Sequence, residues 1–471
     1  MLSEEIKKKI NSTLKNVSTV RKSKKARLKK PIFSIFSGRS NEEQIRKISP
    51  LFQTTSAEKS VVSDKSKKTK FPVDRLKNLS FAFKKNIKIY IKKSIKNLGF
   101  TEELTNIWGL DIGTEYVKLL RISHEEDLPV ITNFSCESIP ARFRNTDSSR
   151  YEYLKQFLRK IVLKYKIEGE VVNSSIADPS VIIRTIKLPQ MAECEIPKAV
   201  KWRLAQQYAV DLNKQIVRFN IIKRKEDIGV KQIEILTINV PKKIVMEHFS
   251  LVKQSGLRPI AIEPECFPLT FCFLENYKWE PDEIVVLLNV GAKYTIFNLV
   301  INGSLNFSRR ILFGASDIFD ALANNLNISP EEAGRKLTKF GIPQVNKQYK
   351  VDDQYVISGG EGSSESEEMQ IFRAIQFALE RLVVEFQKTF NFYSYQLARS
   401  AVQKIDRIFI TGGASQLRNL DKFLNVRLEI PVETLNPLKD IQIAQGVDKK
   451  SIEQFSSQLG VAIGLALRRK I

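Results

Sequence analysis

Two short stretches of this 471-residue chain hold the residue types best suited to chemistry. "GLDIGTEYVKLL" starts at Gly109 and contains Asp111, Gly113, Thr114 and Lys118. "LLNVGAKYTIFNLV" starts at Leu287 and contains Asn289 and Gly291. Aligned, D-I-G-T-E-Y-V lies over N-V-G-A-K-Y-T. Each is an apolar run, a short polar residue, a glycine two positions on and a second β-rich run. A tight glycine turn lets backbone N–H groups approach a phosphate, and such nests bind anions without side-chain help. Two nests facing each other across a cleft would hold a polyphosphate from both sides. An aspartate opening such a turn can hold Mg²⁺ through water, since that ion prefers oxygen ligands and keeps several waters. Lys118, on the second strand of the hairpin, can reach back towards phosphate. "DIG" alone ends many ordinary strands; the weight lies in the repeat.

Further candidates extend the site. Gly412 and Gly413, in "FITGGASQL", follow a strand and precede a helix, where backbone can approach a base or ribose. Gly314 opens a helix after "RRILF" and either faces the nucleotide or fits a tight strand-to-helix turn. His124 and His248 stand far apart, which leaves almost nothing to build a histidine metal site or a Ser-His triad. Cys136, Cys194, Cys266 and Cys272 show no CxxC spacing and read as free buried thiols of a reducing cytosol.

The elements that must position these residues can be read from pattern. Three strand-like runs open the folded text near Ile107, and a helix follows over "SSRYEYLKQFLRKIVLKYKI". Strands and helices then alternate to "PIAIEPECF". The second half restarts with three strands joined by an Asn302–Gly303 hairpin turn. A helix with a capping box from Ser329 to Glu332 comes next, and a long helix is expected over about Met369–Leu397. The body thus reads as two copies of one unit, three antiparallel strands followed by alternating helices and strands.

Charge divides the chain differently. Residues 1–105 hold 27 Lys and Arg against 9 Asp and Glu, so they carry +18 of the net +24. Residues 1–73 have few apolar clusters and are expected to form a disordered basic extension. Residues 74–105 read as a basic amphipathic helix and linker, with Leu76, Leu79, Phe83, Ile87, Tyr90, Ile91 and Leu98 on one face and lysines opposite; Phe81 and Ile89 break the stripe, and "KIYIK" also fits a short strand. That pattern suits residues 74–100 to an anionic membrane surface. The basic runs lack interleaved aromatics, so no specific nucleic-acid partner is expected. No apolar run approaches the roughly 18–20 residues of a membrane span, and no secretory h-region is visible.

The three glycine motifs resemble those of the actin-like ATPase superfamily: two phosphate motifs and an adenosine motif. Within it, "VKLLRI", "IKLPQMAECEIPKAVKWRLAQQYAV", "VPKKIVMEHFSLVKQSGLRPIAIEPECFPL", "IDRIFITGGASQLRNLDKFLNVRLEIPVETLNPL" and "LGVAIGLALR" are similar to the type IV pilus assembly protein PilM family rather than to the cell-division protein FtsA. The likeness covers about residues 107–471. It implies an α/β, actin-like (RNase H-like) fold of two facing duplicated halves around a nucleotide cleft, at 106–283 and 284–471. It also implies a small α+β insert at about 172–255. The implied cofactors are ATP and Mg²⁺. The implied contacts are Asp111, Gly113, Thr114, Lys118, Asn289, Gly291, Gly314, Gly412 and Gly413, with the metal held by Asp111 through water. The implied partners are the cytoplasmic N-terminal peptide of a PilN-type inner-membrane protein and other pilus alignment proteins. The implied place is the cytoplasm, peripheral to the inner membrane.

The sequence departs from the family at two points. The second turn usually carries an aspartate; here Asn289 keeps the turn and an acceptor but loses the charge, weakening metal binding and removing any role as a base. The A-E-x-x-K pattern of the family becomes Ala333, Gly334 and Leu337, with Glu332 or Lys336 as substitutes one turn away. Glu265 falls where the family has an acidic residue near the cleft, and is the weak catalytic candidate. The expectation is a nucleotide-binding scaffold of a pilus, secretion or competence machine without significant turnover. An active ATPase of the same machine and a nucleotide-free FtsA-like membrane adaptor are the alternatives.

Overall fold

Strand β2 (Asn106–Ile112) shows why a central sheet forms here. Ile107, Trp108 and Leu110 are all buried, so apolar residues cover both faces, as in a strand enclosed by helices. The computed structural model describes residues 36–37, 105–124, 128–144, 148–207, 211–227, 230–343, 366–398 and 404–468. The expected amphipathic helix at 74–100 lies outside them.

Strands β2, β3 (Tyr116–Ser123) and β4 (Val130–Ser138) form an antiparallel meander, with Asp111 opposite Lys118. Helix α1 (Ser148–Tyr165) crosses to β5 (Val171–Ile176), parallel to β2, and β9 (Arg258–Pro264) runs parallel to β5. The two-residue strands β1 (Phe36–Ser37) and β15 (Gln442–Ile443) add one edge each. Phe36 and Ser37 therefore belong to a sheet, although they lie within the stretch expected to be disordered.

The second half repeats the plan. Strands β10 (Ile284–Val290), β11 (Thr295–Ile301) and β12 (Ser304–Ile311) form the meander, and Asn302–Gly303 makes the hairpin turn at φ 52° and 64°. Helices α5 (Ala315–Leu326), α6 (Pro330–Phe340) and α7 (Glu367–Phe392) follow, then β13 (Arg407–Thr411), α8 (Leu420–Leu428) and β14 (Val432–Thr434). The strand orders correspond, β4-β3-β2-β5-β9 in one sheet and β12-β11-β10-β13-β14 in the other. Ser329 caps α6, its hydroxyl accepting from the Glu332 N–H as the capping pattern requires. The long α-helix ends at Phe392 and continues as a π-helical turn over Tyr393–Ala398.

Between β5 and β9 the chain builds a separate three-stranded sheet, β6 (Ile182–Pro189), β7 (Gln215–Asp227) and β8 (Val230–Pro241), in the order β6-β8-β7. Helix α2 (Ile196–Gln207) packs Ile196, Val200 and Leu204 on it. This sheet and helix span 182–241, a narrower stretch than the expected 172–255. Strand β5 pairs with β2, and α3 (Lys242–Gln254) packs on α1 and β9, so both belong to the first half.

Two helices join the halves. Helix α4 (Cys266–Asn276) starts directly after β9, and α10 (Gly460–Leu467), which follows the short α9 (Lys449–Gln454), is buried along its whole length. Leu269 and Phe273 of α4 and Val461 and Leu465 of α10 share one apolar cluster with Val285, Leu287 and Phe409 of the second sheet. α10 also lies on β2, β3 and β5 of the first. Of the four cysteines, Cys266 and Cys272 are buried, Cys136 is half-buried and Cys194 is exposed, so the expected burial fails at Cys194, on the loop before α2.

Candidate functional site

The two glycine turns adopt the same hairpin. The Gly113 N–H donates to the Tyr116 carbonyl at 2.9 Å, and the Gly291 N–H to the Tyr294 carbonyl at 3.0 Å. Their carbonyls are held from behind in different ways. Arg150, on α1, donates to the carbonyls of Gly113 at 2.7 Å and Thr114 at 3.3 Å. In the second half the N-terminus of α5 does the same work. The Ala315 N–H donates to Gly291 O at 2.8 Å, and the Ser316 N–H and hydroxyl to Ala292 O at 2.9 and 2.8 Å. In a planar trans peptide the N–H points opposite to the carbonyl. The N–H groups of Thr114 and Glu115, and of Ala292 and Lys293, are therefore turned away from these anchors. Those of Thr114 and Glu115 find no acceptor among the described residues.

Asp111 and Lys118 meet at 2.9 Å, both nearly buried. The other Asp111 oxygen accepts from the Ser175 hydroxyl at 2.9 Å. Burial works against the Lys118 charge, but Asp111's field and hydrogen bond outweigh it and hold the ammonium above its ordinary pKa. A Cβ on Gly113 would sit 3.6 Å from the Lys118 ammonium; its absence leaves that side of the cation open.

Glu265, at the junction of β9 and α4, reaches across to the second half. It accepts from the Tyr294 hydroxyl at 3.2 Å and pairs with Arg310 at 3.3 Å, while the Arg310 guanidinium lies 3.9 Å from the Tyr294 ring centre. Burial pushes the Glu265 carboxyl up to about 7; Arg310 opposes this and Asp111 adds to it. Burial first, then Glu265, drives Tyr294 well above its usual range. Since Asp111 acts on both, the foot of the second turn and the mouth of the first share one electrostatic cluster.

The remaining candidates sit around the second turn. Gly412 has φ 90°, and a Cβ there would come within 2.5 Å of Asn289 Oδ1 and of the Val290 carbonyl. Asn289 and Gly412 are thus in contact. Gly413 starts a short 3₁₀ turn, Gly413–Gln416, and the helix expected after the glycine motif, α8, follows from Leu420. Gly314 lies behind the second turn: a Cβ would overlap the Ala292 carbonyl. Of its two expected readings, the structure favours the tight strand-to-helix fit. Ala333 and Leu337 are buried in the core, and Lys336 pairs with Glu367 at the start of α7.

Sequence reasoning missed Arg150, Ser175, Arg310 and the N-terminus of α5. Ser175 is legible only once Leu110 is known to lie opposite Ser174. Tyr294 had a signal, since a tyrosine ends both aligned turns.

The donor set does not suit Mg²⁺. Both Asp111 oxygens are engaged and its charge is balanced by Lys118, Asn289 is neutral, and both Glu265 oxygens have partners. Among the described residues no three His, Cys, Asp or Glu side chains group to hold a metal. A hydrated Mg²⁺ would meet neither Asp111 nor Glu265 without a cation already beside it.

Comparison with known proteins supplies the context. The model of the type IV pilus assembly protein PilM family matches residues 109–353 and 367–470. A solved PilM–PilN type IV pilus biogenesis complex is similar at 20% identity and TM-score 0.62, over 78% of this chain and 98% of that chain. More distant likenesses include the ethanolamine utilization protein EutJ from Carboxydothermus hydrogenoformans, with 13% identity, TM-score 0.42 and coverage of 82% and 99%. MreB5 of Spiroplasma citri bound to ADP follows at 13% identity, TM-score 0.40 and coverage of 76% and 94%. The expected fold class, actin-like with two duplicated halves, is the one this chain adopts.

Proposed function

The chain belongs to the type IV pilus assembly protein PilM family, and from that premise we propose that it is a nucleotide-binding scaffold whose insert docks a peptide of a PilN-type inner-membrane protein. The observation that carries the nucleotide half of this reading is the pair of hairpin turns, each anchored by its carbonyls so that its N–H groups face outward. Such donors suit the phosphates of an ATP-type ligand. The Thr114 N–H and Lys118, at the turn that Gly113 opens, would hold them from one side and the Ala292 N–H, after Gly291, from the other, with Gly412 and Gly413 beside the sugar and base. The ligand acts as a wedge between the halves rather than as a substrate, because Asn289 cannot serve as a base and Glu265 is tied to Tyr294 and Arg310. Phosphate release on adding ATP should stay far below 1 s⁻¹, the lower end of ordinary enzyme turnover; a rate near that value would restore the ATPase reading.

The partner half rests on the insert. Strand β6 lies against β12, with the Thr185 hydroxyl donating to the Asn306 carbonyl at 2.9 Å. Among the described residues β7 pairs only with β8, so its outer edge can take an added strand. Trp202 on α2 is 60% exposed, beside exposed Lys198 and Lys201. Buried aromatics dominate binding energy at interfaces, and Trp202 is suited to become one. Titrating the N-terminal peptide of the PilN-type protein should show Trp202→Ala weakening affinity at least tenfold. Unchanged affinity would move the docking groove off the insert face.

A further inference from the structure

We propose that the cleft binds its nucleoside polyphosphate without Mg²⁺, with Lys118 serving as a cation built into the chain. The inference rests on the nucleotide reading above and concerns which ionic form of the ligand enters. Three observations lead to it.

The first is the charge balance of the pocket. Asp111 is paired with Lys118, Glu265 accepts from Tyr294 and lies beside Arg310, and the third polar position is the amide of Asn289. A divalent ion would arrive with no unmatched negative charge of the protein to meet it. A metal-free polyphosphate would meet the Lys118 ammonium and the outward N–H groups of two turns.

The second is the geometry of Lys118. An ammonium has three donors. Asp111 takes one at 2.9 Å, and no other acceptor among the described residues engages the rest. The side chain is 13% exposed, and the bare Cα of Gly113 leaves the space before it clear. Asp111, fixed in turn by Ser175, acts as the positioning residue that aims this cation.

The third is the company each carboxylate keeps. A hydrated Mg²⁺ held at Asp111 or Glu265 would sit beside Lys118 or Arg310, and like charges repel strongly in a nearly buried site. A polyphosphate takes the unspent ammonium donors of Lys118 and leaves both pairs intact.

Calorimetric titration of the full chain with ATP, once in EDTA and once in MgCl₂, tests this directly. We expect dissociation constants within about threefold of each other. We also expect Lys118→Met to weaken binding in EDTA at least tenfold. Because that variant leaves Asp111 uncompensated, the double variant Asp111→Asn with Lys118→Met serves as a second probe, with circular dichroism as the check of folding; it should show the same loss. Binding seen only with Mg²⁺ would overturn the inference and leave the nucleotide reading standing. Unchanged affinity of both variants in EDTA would also overturn it. No binding in either buffer would remove the nucleotide reading itself, and this inference with it.

Discussion

At Asn289 an amide stands where Asp111 stands in the other half, and the two turns are otherwise built alike. Asn289 touches Gly412, so a substitution there reports on the second turn without disturbing Lys118. Asn289→Asp would place an unpaired carboxylate beside the phosphates. It should weaken ATP binding in EDTA and make binding Mg²⁺-dependent, with a gain of at least tenfold on adding MgCl₂; an affinity indifferent to the metal in this variant would contradict the charge argument. Glu265 gives a second expectation. Its folded carboxyl is held at about 7 against an ordinary 4.5, mainly by burial. Between those values the folded state keeps a proton that the unfolded state releases, so stability is highest below about 4.5 and is lost as pH rises through 7. Denaturant unfolding from pH 5 to 8 should show the wild type losing up to about 3 kcal/mol relative to Glu265→Gln. Parallel pH profiles would mean that Glu265 does not titrate there. Much of this chemistry was legible at residue scale: the Asp111–Lys118 spacing and the loss of charge at Asn289 are plain in the text. Arg150 and Arg310 were not, because each acts from an element remote in sequence.

The turns depend on elements packed behind them. Arg150 from α1 backs the first and the N-terminus of α5 backs the second, so the site is as rigid as the packing of those helices. Two of the N–H groups that an α-helix leaves unpaired at its start are consumed here by Gly291 and Ala292. Gly314→Ala would force the second turn and α5 apart, because the added methyl meets the Ala292 carbonyl. The expected cost is about 1–3 kcal/mol of stability, as for overpacking elsewhere, together with weaker ATP binding. Thermal melts and titrations of that variant check both; a neutral substitution would show that the contact is loose. The hairpins, the capping of α6 and the duplicated meanders could be read from period and turn residues. The edge of the insert could not. "VVNSSI" reads as a strand whichever sheet it joins, and only its pairing with β2 assigns β5 to the first half. Similarly, nothing in the glycine pair at 412–413 distinguishes a 3₁₀ turn from an α-helix.

At the scale of the molecule, two sheets are joined through α4 and α10, and the cleft residues of both halves converge at Glu265. No helix among the described residues is long and apolar enough to cross a membrane. The excess charge of residues 1–105 offers another route to a surface. Each lysine near an anionic leaflet contributes about 1 kcal/mol, screened within a Debye length. Co-sedimentation with vesicles rich in anionic lipid should therefore fall steeply with salt and vanish when residues 1–105 are removed. Equal binding to neutral vesicles would contradict an electrostatic attachment. The central claim is that nucleotide fills the cleft and holds the halves together, and thermal unfolding across an ATP series tests it most directly. A ligand at 100 times its dissociation constant stabilises by about 2.7 kcal/mol through mass action. In a body of this size that raises the midpoint by several degrees. The account predicts a rise that continues with the logarithm of ATP concentration and is absent with adenosine alone. A midpoint unmoved up to millimolar ATP would contradict it.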